Sequence, residues 1–242
     1  MALVITPELS LIGYPPKDLL FNPRLFEEQK NVLNQLSRRL SNLSRNFSVL
    51  IGIAEPTPDI EIPNLYNSVV ILEKDSWRIV ARKQLLPTYD VFDEKRYFRA
   101  AENSSILNLN YQEKIWKIGI TICEDIWVEQ NLQNKKILGK DPISFLEKEN
   151  LDLLLNLSAS PFIESKSLLR QRIAVKAAIR LSCPVIYVNQ VGGNDELIFD
   201  GSSFALNKEG ELKQELPSFK ESVGLCDISS LCLLYTSPSP RD

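Results

Sequence analysis

The 242-residue sequence contains no histidine. Ser-His-Asp and Cys-His hydrolase chemistry is thereby excluded, because both use imidazole as the base. Histidine-ligated metal centres are excluded as well. A hydrolase built from this chain must draw its proton-transfer group from Glu, Asp, Lys or Tyr. Long apolar runs are also missing: stretches such as 151–157 are far too short to span a bilayer. The start lacks a basic segment followed by an apolar one, so no signal peptide is expected and the cytoplasm is the default compartment. None of Cys123, Cys183, Cys226 and Cys232 has CxxC spacing, which argues against a zinc site or a thioredoxin-type redox pair. The net charge of −3 gives no reason to expect nucleic acid or an anionic membrane as a partner. Gly192-Gly193 lacks both GxGxxG and a following GK[ST], so a turn is the simpler expectation there than a phosphate loop.

What is present suits one sizeable core: 44% hydrophobic and 24% charged residues. Residues 2–6 read as a short buried strand that delivers Pro7 and Glu8 to its end. Asn22-Pro23 is a helix start, with Asn as cap and Pro in the first turn. Phe26, Val32, Leu33, Leu36, Leu40 and Leu43 then recur at helical spacing to about Ser44. Strands are expected at 47–54, 67–73, 77–83, 115–122, 151–157 and 184–191, with a tight polar turn at 74–76. Helices are expected near 142–149 and over 165–182, the latter burying Leu168, Leu169, Ile173, Val175, Ala178 and Ile179. A last hairpin crosses Asn207 to Gly210. Strands alternating with helices, together with hairpins, predict an α/β fold with mixed sheets. One domain is expected over 1–230. The stretch 231–242 ends in alternating Ser and Pro; it is expected to be a disordered tail, with the character of adapter read-through.

Several reactive residues follow directly on predicted strands, where sites assemble in layered α/β folds. Cys123 ends the strand 115–122 and precedes Glu124 and Asp125. Taken alone, a cysteine is most often a small buried hydrophobe. Two adjacent acids raise a thiol pKa, so a reactive Cys123 needs a cation nearby, and Lys83 at another strand end is the candidate. By itself Lys83 reads as a solvated lysine and Glu8 as a helix-start or surface acid. Without histidine, a cysteine nucleophile would need Glu or Lys for proton transfer, and Glu8 is the best-placed carboxylate. From spacing alone a Cys-Lys-Glu site and a purely structural role both stay open. Tyr14, Tyr89 and Trp127 could line a pocket or simply belong to the core.

The order Glu8, Lys83, Cys123 resembles the Glu-Lys-Cys order of the nitrilase superfamily. The segments PELSLIGYPPKDLL (7–20), KQLLPTYDVFDEKRYF (83–98), ICEDIW (122–127), NLSASPF (156–162) and VNQVGGNDELIFDGSSF (188–204) resemble its members that form the glutaminase domain of glutamine-dependent NAD synthetases. The resemblance implies a four-layer α-β-β-α sandwich. It implies Cys123 as nucleophile toward the side-chain amide of L-glutamine, Glu8 as proton carrier, and Lys83 with the Glu124 N–H as oxyanion donors. Glu94 matches an auxiliary glutamate. Tyr89, Glu124, Ser160 and Lys166, with Tyr14 and Trp127, match residues around the amino-acid end of glutamine. No cofactor or metal is implied for this half-reaction; ATP and Mg belong to a synthetase domain expected to be absent here, since no Ser-Gly-Gly-x-Asp-Ser loop occurs. By the same resemblance the chain lacks the family's first strand and helix, and homo-oligomers are expected. Another nitrilase-type amidase or carbamoylase, or an inactive truncated piece, are the alternatives.

Overall fold

The computed structural model describes residues 2–44, 47–59, 62–89, 92–111, 113–127, 141–228 and 231. In chain order it forms β1 (Ala2–Ile5), α1 (Pro23–Ser41), β2 (Phe47–Pro56), β3 (Leu65–Glu73), β4 (Ser76–Arg82), α2 (Glu94–Tyr97), β5 (Ser105–Tyr111) and β6 (Lys114–Ile122). There follow α3 (Pro142–Leu146), β7 (Leu153–Ser158), α4 (Lys166–Leu181), β8 (Val185–Asn189), β9 (Val191–Asn194), β10 (Leu197–Asp200), β11 (Phe204–Leu206) and β12 (Leu212–Glu215). One sheet has the order β1-β2-β3-β4, the other β12-β11-β8-β7-β6-β5, and β9 and β10 pair with each other. Both large sheets are mixed: β1 and β2 are parallel, as are β6, β7 and β8, while the remaining neighbours are antiparallel.

Side-chain alternation along the strands creates the layers. Val69 and Ile71 of β3 join Ile118 and Ile120 of β6 and Leu153 and Leu155 of β7 in a core between the two sheets. The intervening Val70 and Leu72 pack with Leu33 of α1. On the far side, Leu154, Val185 and Tyr187 pack with Ile173, Ala177 and Ala178 of α4. The result is an α-β-β-α sandwich, in which each fully buried aliphatic side chain contributes about 1.5–3 kcal/mol. Local signals set the element ends. The Asn22 side chain accepts from the Arg24 N–H at 3.1 Å, with Pro23 opening α1. Asp75, at φ 58°, makes the tight β3–β4 turn.

Several expectations need correction. β1 is not a buried strand: it forms the edge of its sheet, and Ala2 and Val4 are exposed. The strand expected over 184–191 breaks at Gln190, because β9 leaves the sheet to pair with β10. Gly192-Gly193 is therefore extended strand, and the turn lies at Asp195-Glu196. Leu168 and Ile179 of α4 are exposed, as are Val32 and Leu43, so the helical stripes are narrower than the apolar spacing suggests. α1 stops at Ser41, and β5 and the β9–β10 pair were not anticipated. Leu231, assigned to the tail, is buried and its N–H reaches the Asp227 carbonyl at 3.4 Å; 232–242 lie outside the described residues.

Candidate active site

Four strand ends converge on one buried cluster. The chain leaving β1 passes directly over β2: the Thr6 N–H donates to the Leu50 carbonyl and the Leu11 N–H to that of Gly52, both at 3.1 Å. Gly52 permits this approach. A Cβ there would sit 2.3 Å from the Leu9 nitrogen and 2.8 Å from the Pro7 oxygen, both backbone atoms that cannot swing aside. This contact lays Glu8 into the interior with no exposed surface.

Lys83 follows β4 and is pinned by its backbone. Its N–H donates to the Asn67 carbonyl at 2.8 Å, and its own carbonyl accepts from Ala101 at 2.9 Å. Its fully buried ammonium donates to Oε1 of Glu8 and to Oε1 of Glu94, each at 2.7 Å. Asn67 Nδ2 also donates to Glu8 Oε1 at 2.8 Å, and the Ala159 N–H, just beyond β7, donates to Glu8 Oε2 at 3.0 Å. Tyr14 donates its hydroxyl to Glu94 Oε1 at 2.8 Å. Burial alone would push the Lys83 ammonium down, but the charges of Glu8 and Glu94 outweigh it and hold it well above the usual lysine range. Burial, reinforced by Glu8, pushes the Glu94 carboxyl up to about 8 despite Lys83 and Tyr14. One ammonium compensates one carboxylate, so the second keeps its proton. Three donors converge on Glu8, and burial favours the protonated form of Glu94.

Cys123 follows β6 and opens a 3₁₀ turn over Cys123–Ile126. It is buried and lies at φ 48°, a left-handed conformation costly for a residue with a Cβ. Neighbours hold it there. Asn156 Nδ2 donates to its carbonyl at 3.2 Å, and Asp125 Oδ2 accepts from the preceding Ile122 N–H at 3.1 Å. Burial and the Glu8 charge push the thiol well above its usual range, although Lys83 pulls it down. The expected cation is thus in place, yet the resting thiol is neutral.

The other candidates surround this core. Tyr89 donates its hydroxyl to Glu124 Oε1, and the Trp127 N–H donates to the Glu124 carbonyl at 2.8 Å. Burial pushes the Glu124 carboxyl up, against Tyr89, Lys83 and Lys166, which lower it. Burial pulls the Lys166 ammonium down, against the opposing pull of Cys123 and Glu124. Ser160 follows Ala159; its N–H donates to Asn189 Oδ1 at 2.8 Å, and its carbonyl accepts from Arg170 Nη1 and Asn189 Nδ2, both at 3.2 Å. Arg170 is buried and paired with Asp200. Glu94 Oε2, Glu124 Oε2 and Trp127 Nε1 are buried without a partner among the described residues. The ten candidate residues thus share one neighbourhood. Sequence analysis missed its supports: Gly52, Asn67, Asp125, Asn156 and the Arg170–Asp200 pair. Only Gly52, a glycine inside an apolar strand, carried a readable signal.

The fold and this cluster can be set beside known proteins. The glutamine-dependent NAD(+) synthetase of Synechocystis sp. is 42% identical over 233 residues, covering 94% of this chain and 40% of that protein. The structure of the Acinetobacter baumannii glutamine-dependent NAD+ synthetase with ADP superposes with a TM-score of 0.75 at 36% identity, over 91% of this chain and 38% of that one. An amidase of Nesterenkonia from the nitrilase superfamily shares the fold, with a TM-score of 0.62 at 18% identity over 89% of this chain and 73% of its own. The chain spans about two fifths of the length of the curated relatives it matches. The carbon-nitrogen hydrolase family matches residues 1–232, essentially the whole described structure, and the chain belongs to that family.

Proposed function

We propose that the chain is a glutamine amidohydrolase that supplies ammonia for the ATP-dependent amidation of deamido-NAD. The observation that carries this is the buried Lys83 bridging Glu8 and Glu94 with its charge acting on Cys123, in a chain without histidine. The relatives named as glutamine-dependent NAD synthetases supply the substrate and the destination of the ammonia.

The neutral thiol dictates the order of events. Cys123 Sγ attacks the side-chain amide carbon as Glu8 takes the thiol proton, so thiolate never accumulates. The Lys83 ammonium and the Glu124 N–H stabilise the oxyanion; such preorganised donors are worth roughly 3–4 kcal/mol each. Glu8 passes its proton to the leaving nitrogen, and ammonia departs from a glutamyl thioester. Water then attacks the thioester, Glu8 takes its proton and returns it to sulfur, and glutamate leaves. Glu94 accepts from Lys83 and holds it in place. The unpartnered Oε2 of Glu124 suits the substrate ammonium, and Lys166 with the Ser160 hydroxyl suits its carboxylate. Tyr14, Tyr89 and Trp127 form the aromatic side of the proposed glutamine site.

Hydrolysis needs no cofactor in this scheme; ATP and Mg serve the synthetase portion. That portion is the partner, within a cytoplasmic homo-oligomer. No helix among the described residues is long and apolar enough to cross a membrane. The test is ammonia release from L-glutamine compared with propionamide, which lacks the amino-acid end. A preference for glutamine supports the proposal; equal turnover of both makes the chain a general amidase.

A further inference from the structure

We infer that Asp125, which is not among the reacting groups, is a positioning residue that fastens the Lys83 loop to the nucleophile turn; this rests on the catalytic roles proposed above. The Asp125 carboxylate is buried and accepts three backbone N–H bonds. Oδ1 takes the N–H of Gln84 at 3.0 Å and of Leu85 at 2.8 Å, the two residues after Lys83. Oδ2 takes the N–H of Ile122 at 3.1 Å, the residue before Cys123. Gln84 and Leu85 belong to the segment that leaves the first sheet, and Ile122 ends a strand of the second. One side chain therefore ties together the backbone at the oxyanion cation and at the nucleophile.

Two features separate this from ordinary turn capping. The first is strain: Cys123 at φ 48° persists only if its surroundings over-determine it, and Asp125 on one side and Asn156 on the other do so. The second is cost. Burying a carboxylate without a counter-ion in direct contact is expensive, and here burial pushes the Asp125 carboxyl up to about 7 against the hydrogen bonds and the Lys83 charge. A backbone tie of neutral groups would have served the fold alone. A carboxylate takes three N–H donors at once, from both segments, and leaves no lone donor.

Asp125→Asn tests this directly. The Asn oxygen can still accept from Gln84 and Leu85, but its NH2 then faces the Ile122 N–H, donor against donor. Asp125→Ser, smaller and neutral, is the second variant, and Ile143→Val in the core is the control for lost stability alone. Each is followed by thermal unfolding, by kcat and KM for glutamine, and by the pH profile of Cys123 alkylation with iodoacetamide. The inference predicts that kcat falls roughly 10- to 100-fold, as for other sub-ångström misplacements, with KM within about threefold. It also predicts a displaced alkylation profile, because the Lys83 and Glu8 charges act on the thiol from altered distances. Ile143→Val should lower the melting temperature and leave the profile unmoved. A folded Asp125 variant with wild-type kcat and alkylation profile overturns the inference. So does failure of both variants to give a cooperative transition, which would make the carboxylate a requirement of folding. If the wild-type chain releases no ammonia from glutamine, the proposed function fails, while the alkylation profile still decides the role of Asp125.

Discussion

The Lys83 ammonium stands 2.7 Å from one oxygen of Glu8 and 2.7 Å from one oxygen of Glu94, and all three residues are buried. A single cation thus serves two carboxyl groups in a low-dielectric interior. Removing it leaves acids facing each other. Lys83→Met should cost roughly 3–5 kcal/mol, the usual consequence of stripping one partner from a buried ionic group. For a chain of this size that lowers the melting temperature by roughly 6–20 °C. A melting temperature within a degree or two of the parent would contradict the charge arrangement.

Glu94 makes stability depend on pH. Its carboxyl is raised from 4.5 to about 8, so between those values the folded state holds a proton that the unfolded state has released. Stability then falls as pH rises through that window, and the loss is complete above about pH 8. The contribution is on the order of a few kcal/mol. Glu94→Gln mimics the protonated form, keeps an acceptor for Lys83 and Tyr14, and should flatten the decline. Urea midpoints at several pH values from 5 to 9 would check this; parallel curves for parent and variant would count against a protonated Glu94.

Gly52→Ala should be far more damaging than its single methyl suggests. The added Cβ meets backbone of residues 7–9, so either β2 or the segment carrying Glu8 must shift. Overpacking of this kind costs roughly 1–3 kcal/mol, and the unyielding neighbours place this case at the upper end. Activity should drop further than stability, because the displaced backbone carries Glu8. A crystal structure of the variant with Glu8 still bonded to Lys83 and Asn67 would refute the role given to Gly52.

The sandwich was legible in the sequence because strand and helix periods are local. Continuous apolar runs such as 69–72 mark strands buried on both faces, and Asn22-Pro23 marks a helix start. Where one strand ends and the next begins, and which strand lies at an edge, the sequence was silent. β9 looked like a continuation of β8 until the hairpin with β10 drew it away. β1 looked buried because its four apolar residues carry no sign of lying at a sheet edge. The reacting residues were legible only through flanking segments, since Glu8, Lys83 and Cys123 are each unremarkable alone. Their supports were hidden for a physical reason. Asn67, Asp125 and Asn156 each bond to at least one group more than thirty positions away, a relation that no short spacing encodes.

Substrate selection should reside in Glu124 and Lys166. Glu124→Gln and Lys166→Ala each remove one charge-assisted bond to the amino-acid end, worth roughly 1.5–3 kcal/mol. The KM for glutamine should rise at least tenfold in each, with kcat changed less. Unchanged KM in both variants would move the chain toward a general amidase.

The central claim is that Cys123 carries the acyl group while Glu8 moves the proton. Its most direct test is ammonia release from L-glutamine by the purified chain and by Cys123→Ala, with the fold of both confirmed by circular dichroism. The account predicts steady release by the parent and none above the buffer rate by the variant. Undiminished release by a folded Cys123→Ala protein would contradict it.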